Sequence, residues 1–149
     1  MTAQGEDILA WLETAITERE DAARRATQKP WRTHDTHLDL GGHTATVLAG
    51  KRNDTELLAW LPTMTHQYWD EARNAWNNAE HIAANDPASV LRRCVADRKL
   101  LELHGDRCHS CPAKSATGYL DEWTQFDYGD LCPVVLLLAE GYGWTEGER

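Results

Sequence analysis

The chain has 149 residues, of which 42% are hydrophobic and 26% charged, and its formal net charge is −9. That length suits one domain with a core of its own, and the balance is that of an ordinary folded protein, not a disordered one. The longest apolar run, Val134 to Ala139, is far too short for a membrane span, and the acidic charge repels phosphate, which argues against generic nucleic-acid binding.

The N-terminal stretch Met1-Thr2-Ala3-Gln4-Gly5-Glu6-Asp7 has neither a basic start nor an apolar signal region, so the expected compartment is the cytoplasm. In that reducing setting the cysteines read as metal ligands or free thiols before disulfides. From Glu6 to about Ala26, Ile8, Leu12, Ala15, Ile16, Ala22, Ala23 and Ala26 recur at helical spacing, with Glu6 and Asp7 opening the helix and Arg24 and Arg25 closing it in accord with its dipole. Pro30 stops any continuation.

Beyond Pro30 the period changes. Trp31 to Leu40 and Thr44 to Leu48 read as antiparallel strands joined at Gly41-Gly42, a turn that would pair Leu40 with His43 and His37 with Thr46. In that arrangement His34, His37 and His43 are polar residues of an exposed face, not a metal set. Leu57 to Leu61 is a third strand or a short helix before Pro62, and the reading favours a three-stranded meander. A helix follows from about Thr65 to Ala84. Asp86 then caps a further helix that opens at Pro87 and ends near His104-Gly105.

The strongest chemical signal is His104-Gly105-Asp106-Arg107-Cys108-His109-Ser110-Cys111, taken with Cys132. Two thiols separated by two residues can face one ion across a tight turn, the pattern of a zinc knuckle. Cys108, Cys111 and Cys132 supply three ligands, and His104, Cys94, His109 and His81 compete for the fourth place. His104 is favoured because it lies one helical turn before Cys108. Cys94 is about 15 Å from His104 along the same helix, so both cannot serve, and His109, between the knuckle cysteines, would be directed away. The zinc would be structural, tying the C-terminal segment to the long helix. Between the knuckle and Cys132, the aromatics Tyr119, Trp123, Phe126 and Tyr128 alternate with acids along a long loop, and they are the candidate partner-binding residues.

The elements Ala26-Thr27-Gln28-Lys29-Pro30-Trp31, Glu80 to Arg92 with its His81 and Asp86-Pro87, Arg98 with Leu101 and His104, the paired cysteines and Cys132-Pro133 follow one another in a distinctive order. In this combination the chain resembles a family of small actinobacterial and actinophage proteins of unassigned function. The resemblance implies a phage or mobile-element accessory protein and no particular activity.

The expected fold is α+β: a small antiparallel meander packed against N-terminal and central helices, with a C-terminal zinc knuckle. It forms a single domain over 1–149, divided into a helix (1–30), the meander (31–62), helices (65–104) and a zinc-stapled segment (104–149). The expected function is a zinc-stabilised protein-interaction module. An acidic inhibitor aimed at a host nucleic-acid-binding protein, and a zinc-dependent hydrolase or dithiol redox protein, are the alternatives. No catalytic residue stands out.

Overall fold

The computed structural model describes residues 3–37, 43–51, 54–61, 69–105, 108–112, 123–127 and 130–145. Along these run α1 (Ala3–Arg25), β1 (Trp31–His37), β2 (His43–Ala49), β3 (Glu56–Leu61), α2 (Trp69–Ala84), α3 (Pro87–His104), β4 (His109–Pro112), β5 (Trp123–Phe126) and α4 (Pro133–Tyr142). The fold is α+β, with small antiparallel sheets. No helix among the described residues is long and apolar enough to cross a membrane. The chain forms two compact units, one of residues 21–92 and one of residues 1–20 with 93–149.

In the unit of residues 21–92, β1, β2 and β3 form a meander in sequence order, so Leu57 to Leu61 is strand and not helix. Ala45 and Val47, two apart on β2, face Ala75 and Ala79, one turn apart on α2. These residues are small, which lets the helix lie close to the sheet. Trp31, Leu58, Ala59, Ile82 and Ala83 close over the same core. The bend after β2 depends on Gly50, which has φ 95° and donates its amide hydrogen to the Pro30 carbonyl at 2.9 Å. A Cβ there would lie 1.9 Å from the Asp54 carbonyl oxygen, so the position admits only glycine.

The register corrects one expectation. His37 pairs with His43 and His34 with Thr46, whereas a two-residue Gly41-Gly42 turn would pair His37 with Thr46. The turn itself lies outside the described residues, as do Pro62 and the expected first turn of α2. At the corner between α2 and α3, Asp86 Oδ1 accepts the Ser89 amide at 2.7 Å and Pro87 takes the first helical position, as the side-chain chemistry of that pair predicts.

In the unit of residues 1–20 and 93–149, Ile8, Leu12 and Ile16 of α1, Cys94 of α3 and Val135 and Ala139 of α4 are buried. The buried Glu20 carboxylate is held at 3.0 and 3.2 Å by both arms of the Arg98 guanidinium, which also reaches Thr17 at 2.9 Å. Tyr142 donates to Asp97 at 2.5 Å, contacts Cys94 at 3.9 Å and carries the Arg19 guanidinium 4.2 Å over its ring. Burial and the neighbouring Asp97 push the Tyr142 phenol well above its ordinary range. This phenol is therefore a fixed donor and not a base.

Candidate metal centre

Four side chains converge within the unit of residues 1–20 and 93–149. His104 is the last residue of α3, where the Gly105 amide returns to the Leu101 carbonyl at 2.7 Å. A Cβ on Gly105 would lie 2.8 Å from the Leu101 carbonyl oxygen and 3.2 Å from Leu9 Cδ2, so the chain can leave the helix there only without a side chain. His109 and Cys111 lie on β4, which pairs with β5 in the register His109 to Phe126 and Cys111 to Thr124. Cys132 caps the N-terminus of α4, and its Sγ accepts the Val134 amide at 3.4 Å.

One ligand atom from each of His104, His109, Cys111 and Cys132 falls within 4.8 Å of every other, so this His2Cys2 set could hold a metal ion. His104 Nδ1 lies 3.3 Å from His109 Nε2, 3.5 Å from Cys132 Sγ and 3.9 Å from Cys111 Sγ. Cys111 and Cys132 are buried and both histidines half-buried. The His109 ring meets His104 edge-on, with centroids 5.0 Å apart, and stacks on Phe126 at 5.5 Å. Burial, and then the charge of His109, hold the His104 imidazole below its ordinary value, which keeps it in the neutral form that ligates. Burial beside Cys132 pushes the Cys111 thiol up. An incoming cation therefore has to displace a proton that the fold otherwise retains.

The set differs by one member from the one that Cys-x-x-Cys spacing suggests. Cys108 is exposed and outside the cluster, with its Sγ 3.9 Å from Asp127 Oδ1. The reason lies in β4, which is extended instead of turning as a knuckle would, so that His109 and Cys111, two apart, share a face, while Cys108 precedes the strand. His-x-Cys at strand spacing was the available signal for His109, hidden because the segment reads as a turn. Cys94 is buried beside Tyr142, and His81 is exposed near the end of α2. Of the aromatic contact candidates, Tyr119 and Tyr128 lie outside the described residues and Trp123 opens β5 opposite Pro112. Phe126 packs against His109. The long loop expected before Cys132 contains β5.

No curated protein and no solved structure matches the chain. A family model does match, over residues 5–143, and on that match the chain belongs to the family of unknown function DUF6221.

Proposed function

We propose that the chain is a small protein-binding module whose C-terminal part is fastened by a structural zinc ion on His104, His109, Cys111 and Cys132. The observation that carries this reading is the spacing of the donor atoms. Zinc at about 2.0 to 2.1 Å from nitrogen and about 2.3 Å from sulfur, with tetrahedral angles, sets ligand edges of about 3.3 Å between nitrogens and about 3.6 Å between nitrogen and sulfur. The corresponding separations here are 3.3 Å for the two nitrogens and 3.5 and 3.9 Å from His104 Nδ1 to the sulfurs. Imidazole and thiolate together suit zinc better than they suit hard cations.

Four protein ligands leave no position for water or substrate, so the ion serves structure and not hydrolysis. It joins the end of α3, the β4–β5 hairpin and the start of α4. Elemental analysis of the purified chain should find one zinc, and cobalt substitution should give the visible bands of a tetrahedral site with two thiolates. Cys111→Ser should remove both signals and lower the melting temperature. A wild-type chain that neither carries nor takes up a stoichiometric ion would sink the reading.

Protein binding is supported by apolar side chains that the described residues of this unit leave in solvent, among them Val95 and Leu103 on α3, 51% and 61% exposed, and Leu137 on α4, 66% exposed. Leu103→Glu and Leu137→Glu should abolish capture of a partner from host lysate without changing zinc content or melting temperature. Undiminished capture by both variants would count against this surface.

A further inference from the structure

Cys108 has no place in the ligand set, yet it adjoins His109 and stands three residues from Cys111. Among the four cysteines it alone is exposed, while Cys94, Cys111 and Cys132 are buried. We propose that Cys108 is the redox trigger of the metal centre: peroxide oxidises it, Cys111 leaves the metal to form a Cys108–Cys111 disulfide, and the ion is released. This inference rests on the reading of the cluster as a metal centre.

The geometry makes the two states mutually exclusive. Cys108 immediately precedes β4, which is extended from His109 to Pro112, and along an extended path three steps of about 3.3 Å correspond to a Cα separation of about 10 Å. A disulfide needs them at about 5.5 to 6 Å. The bond therefore forms only if the start of β4 bends, and the bend carries His109 as well as Cys111 away from the ion. Two of four ligands leave together, so oxidation opens the site instead of weakening it by degrees.

The chemistry balances with hydrogen peroxide as the oxidant. The Cys108 thiol takes one oxygen from peroxide, giving a sulfenic acid and water. The Cys111 sulfur, bound to the ion as thiolate, attacks the sulfenic sulfur. The sulfur–sulfur bond forms as the sulfur–oxygen bond breaks, and the hydroxyl leaves as water with one proton from solvent. Overall the two sulfurs lose two electrons, peroxide gains them as two waters, and the divalent cation goes free. A dithiol reductant reverses the step by thiol exchange.

The test compares the zinc-loaded wild-type chain with Cys108→Ser under hydrogen peroxide, following release with a chromogenic chelator and mapping the disulfide by peptide mass. Cys108→Ser should load one zinc, since Cys108 is not a ligand, and release it on the order of tenfold more slowly. The wild type should show a Cys108–Cys111 bond. Equal release rates, or a bond between Cys111 and Cys132 in the wild type, overturn the trigger while leaving the zinc site standing. A wild-type chain that never binds zinc overturns both, and a Cys108→Ser chain that loads none shows Cys108 to be a ligand and overturns the trigger.

Discussion

At the scale of single residues, Phe126 makes a contact that composition does not announce. An aromatic among acids reads as an anchor waiting for a partner, yet the ring stacks on His109, opposite it across the β4–β5 pair. In the proposed zinc centre its work would be orientation, because an imidazole held by packing spends less of its binding free energy on being ordered around the ion. Phe126→Ala should therefore weaken zinc affinity by about 10- to 100-fold, the range found for groups that support a ligand. Competition against a chelator of known affinity measures it, and an unchanged affinity would mean that Phe126 does not support the ligand. The membership of His104 and Cys132 in the candidate cluster was legible from spacing, because one ends a helix and the other precedes a proline that begins one. His109 was not, since its selection over Cys108 depends on whether four residues are extended or turned, and no local preference in His-Ser-Cys-Pro decides that.

The same contrast holds between elements. The α2–α3 corner is written in side chains that act on their own backbone: Asp86 caps and Pro87 begins the helix, with no distant partner needed. The β4–β5 hairpin has only four residues in each strand and gains its pairing from a segment eleven or more positions on, so nothing near Cys111 announces it. The β1–β2 connection failed for a related reason, since a glycine pair marks a turn without setting which residues pair across it. At the start of α4, one residue has two tasks that mutation can separate. Cys132 caps the helix through its sulfur and also points that sulfur into the cluster. Cys132→Ser keeps an acceptor for the Val134 amide and loses the ligand, whereas Cys132→Ala loses both. Without metal, the alanine variant should be less stable than the serine variant by about 1 kcal/mol, the usual cost of an N-cap. Denaturant titrations in chelator measure the difference, and equal midpoints would show that the cap contributes nothing.

For the molecule as a whole, the candidate ion couples stability to pH, and the direction follows from the groups that hold it. In the metal-free chain the His104 imidazole is pushed below its usual 6.5 by burial and then by His109, so as pH falls the unfolded chain takes up that proton first. The stability tied to neutral His104 is present above that value and is lost on acidification. Cys111 runs the other way, since burial and Cys132 raise its thiol above 9.0, and its contribution fades only as pH rises past that range. The metal-free protein should thus be most stable between the two, and zinc changes one flank of this window. Each ligand proton that the cation displaces lowers the binding free energy by up to about 1.4 kcal/mol per pH unit of acidification. The melting temperature of the zinc-bound chain should accordingly fall faster than that of the chelated chain between about pH 7.5 and 5.5, where neutral histidine begins to protonate, and the two should converge. Thermal scans with and without chelator across that range decide it: a gap that stays constant down to pH 5.5 would mean that imidazole does not hold the ion, and the His2Cys2 assignment would have to be given up.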